Sequence, residues 1–374
     1  MLKVLIIGIT GQDGSNFARF LLKYQTNLEI YGSYNSENKL ILISDIIKDI
    51  HVLKIDLNNL QNIEDVIKSI MPDYIINFSS AQPQFENNNI NFFKINTLST
   101  IHILDCIVKY KLNIKYFSAG SSLEFNNNNN IINLTDKSEP NNIYGITKLS
   151  NRLIINYYKN KYNLFAVHAV LFNHDSASRS DDFISKKIIS NLKNIKESID
   201  NNENIKSINN NENNKSFEIN NFKPFEINNI FTYRDWSDSR DFVEAIWLMM
   251  NTEKPDNYIL SSGVEYSLFD FINVCLELLH FKDFEWKKED LERKKEDLER
   301  KKEDLESKKE DLESKKEDLL TILYYKNKKI LISLSSIHIN GIIGNNSETK
   351  TLLNWKPRIT FKNMINDIIN NFIY

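Results

Sequence analysis

"KVLIIGITGQDGSNFARFLL" (residues 3–22) decides the fold. The run Lys3-Val4-Leu5-Ile6-Ile7 is apolar after its first residue and reads as a strand buried on both faces. Gly8-Ile9-Thr10-Gly11-Gln12-Asp13-Gly14 follows at once, and Phe17, Phe20, Leu21 and Leu22 then recur at helical spacing. A strand, a glycine-rich turn and a helix in that order form a dinucleotide site. Glycine lets the backbone approach a pyrophosphate, and the helix start presents free N–H groups to the anion. Gly8, Thr10, Gly11, Gln12, Asp13 and Gly14 are therefore candidate cofactor contacts. Three of the chain's nine glycines stand in this one turn, and that placement carries more weight than the bare pattern.

Further strands follow at Glu29–Gly32, Val52–Leu57, Tyr74–Phe78 and Lys115–Ala119, with a helix around 95–110. The alternation predicts an α/β, Rossmann-type, doubly wound parallel sheet. The third strand ends at Asp56, where an acid can hydrogen-bond the adenine amino group, so Asp56 and Leu57 join the cofactor set. The second strand leads into Ser33-Tyr34-Asn35-Ser36-Glu37, with Lys39 beyond, which leaves NAD and NADP undiscriminated.

The chain has 374 residues, a formal charge of -3 and 41% hydrophobic residues, ordinary values for a globular protein with ample core. Near-balanced charge gives no bulk electrostatic case for nucleic acid or a membrane surface as partner. Cys106 and Cys275 form no disulfide framework, the six histidines show no metal-ligand spacing, and a metal is not expected. No apolar run approaches the roughly 18 residues of a membrane span. The short apolar N-terminus runs straight into the glycine turn, unlike a signal peptide, and a cytoplasmic protein is expected. Residues 287–320 repeat KKEDLER or KKEDLES, with one apolar residue per heptad at Leu291, Leu298, Leu305, Leu312 and Leu319. A two-stranded coiled coil wants two, so the repeat reads as an expansion in a surface loop. The Asn- and Glu-rich stretch at about 193–229 reads as a disordered insert, and the asparagines at 126–130 as a smaller one.

The fifth strand runs into Gly120-Ser121-Ser122-Leu123-Glu124-Phe125, and Tyr144-Gly145-Ile146-Thr147-Lys148 opens a helix. Tyrosine and lysine four apart share a helix face. The ammonium favours the phenolate, which can then take the proton of a hydroxyl being oxidised. Serines at the strand end can share that proton. Tyr157/Lys161, Tyr324/Lys328 and Tyr325/Lys329 have the same spacing. Only Tyr144 follows a nucleotide fold with hydroxyls at the preceding strand end, and the other pairs read as solvated surface pairs.

At these residues the sequence resembles the extended short-chain dehydrogenase/reductases, and among them the GDP-mannose 4,6-dehydratase family. The likeness is carried, in order, by "GITGQDGS" (8–15), "NLFAVHAVLFNHDS" (163–176), "FISKKI" (183–188), "RDWSDSRDFVEAIWLMM" (234–250) and "LNWKPRITF" (353–361). The resemblance implies a smaller, discontinuous C-terminal substrate domain, with 1–172 plus 233–262 expected for the nucleotide domain and 173–232 plus 263–374 for the substrate domain. It implies an enzyme with NADP as cofactor, NAD remaining open, and GDP-mannose as substrate. It implies internal hydride transfer: oxidation at sugar C4, removal of the C5 proton, loss of water from C6 and return of the hydride. It also implies a homo-oligomer, dimer or tetramer, paired through the helix bearing Tyr144 and Lys148. Asn173 would lie where the sugar nucleotide's diphosphate passes. Lys186 and Lys187 would lie near the nucleotide, and Arg179 and Arg234 would take substrate oxygens.

The match also departs from the family. Its threonine-serine-glutamate at the fifth strand end falls on Ser121, Ser122 and Leu123. Leucine cannot serve as base, and Glu124, one residue later, is the candidate for the C5 proton. The arginine-rich ribose loop is absent at 33–36, only Arg179 remains of a proline-arginine-arginine, and Ser335 and His338 stand where the family has arginine and glutamate. A nucleotide-sugar 4-reductase or epimerase, and a catalytically impaired nucleotide-binding descendant, therefore stay open beside the dehydratase.

Overall fold

A computed structural model describes residues 1–82, 86, 88–125, 130–208, 224–290, 319–325, 328–335 and 337–373. The expected loop leucines Leu291, Leu298, Leu305 and Leu312, the core of the Asn-rich insert (209–223) and most of the asparagine run (126–129) lie outside the described residues. The contacts divide the chain into two compact units: Met1–Phe183, Arg234–Glu265 and Ile342–Tyr374 form one, and Ile184–Tyr233 with Tyr266–Gly341 the other.

The first unit is built on seven parallel strands: β1 (Leu2–Ile7), β2 (Leu28–Tyr34), β3 (His51–Lys54), β4 (Tyr74–Asn77), β5 (Lys115–Ala119), β6 (Ala166–Leu171) and β7 (Asn257–Leu260). Their spatial order is β7-β6-β5-β4-β1-β2-β3, the reversal falling between β1 and β4, where ligands of such sheets bind. Side chains alternate across the pleat. Val4 and Ile6 pack with Phe17, Phe20 and Leu21 of α1 (Gln12–Tyr24). Leu5 and Ile7 pack on the other face with Ile63 and Ile67 of α2 (Leu60–Ile70) and Ile103 and Ile107 of α3 (Ser99–Lys109). Helix α4 (Ile143–Tyr162) adds Ile155 to that second face. Strand β3 ends at Lys54, so Asp56 lies in the following turn and not on the strand end expected for it.

Residues 173–183 and 342–374, assigned from sequence to the substrate domain, belong to the sheet's own unit. The short strand Asn173–Asp175 pairs in parallel with Trp236–Asp238. Leu353 and Trp355 are buried in the α1-side core beside Phe242 of helix Ser239–Met250. The motif at 234–250 and the motif at 353–361 interlock: the Asp241 carboxylate accepts the N–H groups of Arg358 and Ile359 at 3.0 and 2.9 Å, and Trp355 Nε1 donates to the Asp241 carbonyl at 3.2 Å.

In the second unit, α5 (Ile184–Ile208) continues well into the stretch read as disordered. Ile188, Leu192, Ile195 and Ile199 are buried along it, a helical period that the asparagines and lysines between them obscure. A four-stranded sheet orders Phe284–Asp290, Leu319–Tyr325, Lys328–Ser333 and Phe225–Ile227. The first KKED of the repeat and the last leucine before Leu320 are thus strand ends, with Asp290 opposite Leu319 in antiparallel register. The expansion therefore begins and ends at one point of a hairpin. Tyr324 faces Lys329 and Tyr325 faces Lys328 across the next strand pair, and Tyr325 is buried, so these are strand residues and not the expected surface pairs.

Candidate active site

The glycine turn closes tightly on itself. Gly8 has φ +85°, a left-handed backbone that suits glycine. A β-carbon on Gly14 would sit 2.3 Å from the Gly8 carbonyl oxygen, so the helix can start this close to the strand only without a side chain there. The Gly8 N–H donates to Ser33 Oγ at 3.1 Å and the Ile9 N–H to the Ser33 carbonyl at 3.0 Å, which ties the turn to the end of β2. The first-turn N–H groups of α1 have no acceptor within the helix, and its dipole adds positive charge there. A cradle of backbone donors without side chains fits a dinucleotide's pyrophosphate. Thr10 is buried in the turn. Among residues 33–36, Ser33 is spent on the turn, and no guanidinium is available for a 2′-phosphate.

The side chains of Gln12 and Asp13 face elsewhere. Gln12 Nε2 donates to the His174 carbonyl at 3.1 Å, and both Asp13 oxygens lie 3.0 Å from His174 Nε2. Ser239 Oγ donates to Asp13 at 3.1 Å. Burial alone would raise the Asp13 pKa, but the His174 charge and hydrogen bond, with Arg179, hold it well below the usual carboxylate range. Burial disfavours the His174 imidazolium, yet Asp13 keeps its pKa above the ordinary value. Asn16 extends the network, donating to Ser176 Oγ at 3.0 Å and Ser239 Oγ at 2.9 Å. The Gln-Asp pair thus joins the cofactor turn to the 173–176 junction through its side chains, and only its backbone N–H groups remain for an anion. His174, Asn16 and Ser239 went unread in the sequence, because nothing in their spacing marks them.

At that junction Asn173 is exposed and pairs in register with Trp236. Arg179 Nε lies 3.0 Å from the Asp175 carboxylate, and its guanidinium stacks 3.5 Å from the Phe183 ring centre. Burial lowers the Arg234 pKa, with Asp175 opposing the shift and Arg179 adding to it, so Arg179 and Arg234 both act in the field of the buried Asp175 carboxylate. Such a pair retains net positive charge for an anion. Lys187 is exposed on α5, in the second unit. Asp56 is exposed and accepts the Asn58 N–H at 2.9 Å, with Leu57 half-buried beside it.

Tyr144 and Lys148 lie on one face of α4, both buried. Lys148 Nζ donates to the Ala119 carbonyl, the last of β5, at 2.8 Å and stands 5.4 Å from the centre of the Tyr144 ring. Asn96, in a π-helical segment (Phe93–Leu98) before α3, braces the start of α4. It donates to Thr147 Oγ1 at 3.1 Å and accepts the Ala81 N–H at 2.7 Å, linking the loop after β4 to that helix. Insertions of this kind recur at functional sites, but no residue type predicted it here.

Ser122–Glu124 form a 3₁₀ turn capped by Ser121, whose Oγ accepts the Leu123 N–H at 3.2 Å. The turn directs Leu123 outward, 41% exposed, and Glu124 inward, fully buried. Glu124 Oε1 accepts the Ser121 N–H at 3.0 Å and lies 2.9 Å from His168 Nε2, while Oε2 lies 2.9 Å from Arg152 Nε. Burial would raise its pKa, but His168 and Arg152 outweigh that and keep it lowered. The Glu124 carboxylate is thus fully buried and engaged by a backbone N–H, an imidazole and a guanidinium. The pattern Ser-x-x-Glu is a capping-box signature, and that signal was present in the sequence.

Elsewhere Glu64, His102 and Cys106 bring one ligand atom each within 4.8 Å of one another. Lys109 lies 3.2 Å and Lys68 3.8 Å from Glu64, so its charge is already met without a cation.

A family profile described as GDP-mannose 4,6 dehydratase matches residues 5–219 and 214–368. GDP-mannose 4,6 dehydratase of Homo sapiens is 24% identical over 386 residues, covering 98% of this chain and 90% of that protein. The crystal structure of dTDP-glucose 4,6-dehydratase from Bacillus anthracis in complex with NAD superposes with a TM-score of 0.70 at 16% identity, over 100% of this chain and 96% of that one. RMD from Pseudomonas aeruginosa, complexed with NADPH, superposes at 0.67 with 14% identity, over 99% and 98%. With the parallel sheet, the glycine cradle and the Tyr144–Lys148 face in one unit, and the profile spanning nearly the whole length, the chain belongs to the GDP-mannose 4,6-dehydratase family of nucleotide-sugar enzymes, extended short-chain dehydrogenase/reductases in type.

Proposed function

We propose that this chain oxidises GDP-mannose at C4 as the first step of a 4,6-dehydration giving GDP-4-keto-6-deoxymannose, the precursor of GDP-fucose. The observation that carries the reading is the Tyr144–Lys148 face held against the carboxyl end of β5. In an open α/β sheet that edge is where ligands bind.

NADP is the proposed cofactor, held by Gly8, Thr10, Gly11, Gln12, Asp13 and Gly14 at the pyrophosphate, by Asp56 and Leu57 at the adenine, and by Tyr144 and Lys148. The nicotinamide supplies hydride acceptance and return. Residues 33–36 favour neither cofactor, so parallel titrations with NADPH and NADH decide between them, equal or tighter NADH binding replacing NADP by NAD. Tyr144 Oη, as the phenolate, takes the C4 hydroxyl proton and becomes the neutral phenol, and the fixed Lys148 ammonium places positive charge beside that phenolate beforehand. Ser121 and Ser122 supply hydroxyls for the same proton. Arg179 and Arg234 bind the diphosphate with Asn173 at its edge. Self-association through α4 is proposed as well, since Ile146, Leu153 and Tyr157 are exposed on it.

A second reading, C4 hydride exchange without dehydration as in a reductase or epimerase, is favoured by the inward Glu124 and outward Leu123. Incubation of the full chain with GDP-mannose and NADP separates the two. A 4-keto-6-deoxy product formed without net cofactor reduction supports dehydration. Net reduction or epimerisation with no loss of water supports the second reading. Inertness with retained cofactor binding rejects both.

A further inference from the structure

Tyr144, Lys148 and Arg152 stand four residues apart along α4 and so share one stripe of it. The proton-transfer group is the first of the three, and each of the other two is fastened to the segment that follows β5. Lys148 holds Ala119, and Arg152 holds Glu124 at 2.9 Å, stacks 4.8 Å from the Phe125 ring and donates to Ser138 Oγ. His168 of β6 closes the far side of Glu124 at 2.9 Å. The space is prepared for this: a β-carbon on Gly120 would fall 2.3 Å from His168 Nε2 and 2.5 Å from Glu124 Oε1. Glu124 and His168 are 0% exposed and Arg152 7%, so the cluster is sealed. A buried ion cluster is a poor source of stability compared with apolar packing, and a rigid, specific arrangement is what it offers in exchange.

We propose that Glu124, Arg152 and His168 are positioning residues that clamp the catalytic helix to the β5 end and thereby set where the Tyr144 hydroxyl stands. The inference rests on Tyr144 as the proton-transfer group. It gives Glu124 a role opposite to that of a base: the residue acts through α4 and touches no substrate. It also accounts for Leu123 and Glu124 together, since the capped turn that turns the carboxylate inward is the one that turns the leucine outward.

The test uses the full chain with Glu124→Gln, which keeps the shape and removes the charge, and Arg152→Lys, which keeps the charge and removes the fork. Backbone hydrogen exchange is followed by mass spectrometry, together with single-turnover reduction of NADP by GDP-mannose. The expected result for Glu124→Gln is exchange about tenfold faster in peptides covering 143–152 but not in those covering β1 or α1, a selective local opening. Cofactor binding should hold, and kcat for C4 oxidation should fall about tenfold or more with KM within about threefold, the signature of misplaced reacting groups. Arg152→Lys should show the same pattern more weakly. Hydride transfer at the wild-type rate with loss of the later dehydration alone would make Glu124 the base and overturn the proposal. Uniformly faster exchange, with kcat per folded molecule unchanged, would reduce the cluster to general stability and overturn it too. If the wild type reduces no NADP, the functional reading fails, while the exchange pattern still decides the clamp.

Discussion

Among the acid–histidine pairs of the first unit's described residues, Asp13–His174 and Glu124–His168 differ in how far water reaches them. Asp13 and His174 keep 21% and 11% of their side chains exposed and join the cofactor turn to the substrate junction. Glu124 and His168 keep none and lie against α4 with its Arg152. The first pair connects two binding segments at their rim. The second is locked into the scaffold. An acid next to a histidine is therefore no guide to chemistry until its exposure and third partner are known.

The sharpest way to break this contrast is to delete the sealed carboxylate. Glu124→Leu leaves the Arg152 charge buried without its partner and should cost about 3–5 kcal/mol, read by denaturant unfolding. Adding Arg152→Met should recover most of that loss, because the remaining charge is gone. A Glu124→Leu variant as stable as wild type would mean that Arg152 is solvated and the cluster is not sealed. Asp13→Asn should cost less, roughly 1–3 kcal/mol, since water can still reach the site. Its larger mark should be weaker cofactor binding, followed by nucleotide fluorescence titration.

Proton linkage sharpens the comparison further. Both acids have lowered pKa values, so their stabilisation is present above the ordinary carboxylate pKa and is lost as pH falls from there through their lowered folded values, while the raised pKa of His174 makes the Asp13 pair weaken as pH rises through it. Asp241 runs the other way. Burial pushes its carboxyl up to about 6 against two backbone donors, so the folded chain holds a proton that the unfolded chain has lost. Stability should therefore fall as pH rises from about 4 to about 6, with a slope of up to roughly 1.4 kcal/mol per unit from this group. Unfolding curves of Asp241→Asn against wild type across that window should show the slope disappear. The smallest effect is expected on the opposite face of α4. Leu153, 60% exposed, should tolerate aspartate within about 0.5 kcal/mol while self-association weakens, as light scattering would report. A large loss of stability there would show that α4 is held from outside as much as by its ion cluster.

The parts of the molecule legible in the sequence were those fixed by local chemistry. An unbroken apolar run before three glycines can be little else than a buried strand entering a dinucleotide turn, and β1 with α1 is that arrangement. Tyr144 and Lys148 were legible because helix spacing sets their common face. Directions set by tertiary contact were harder. The side chains of Gln12 and Asp13 turn toward His174, more than 160 residues away, for which no local signal exists. The inward direction of Glu124 is set by the capped turn that follows the strand end at Ala119 and by its partners His168 and Arg152, which sequence spacing does not reveal. The start of the insert, 193–208, is helix and not disordered as expected, because its asparagines hide the buried Ile195 and Ile199 that carry the period.

The most direct test of the account is the absorbance of reduced nicotinamide on rapid mixing of the NADP-loaded chain with GDP-mannose. Wild type should show a rise within one turnover, slowed by roughly 10²–10⁴-fold in Tyr144→Phe. A Tyr144→Phe variant that reduces the cofactor at the wild-type rate would contradict it.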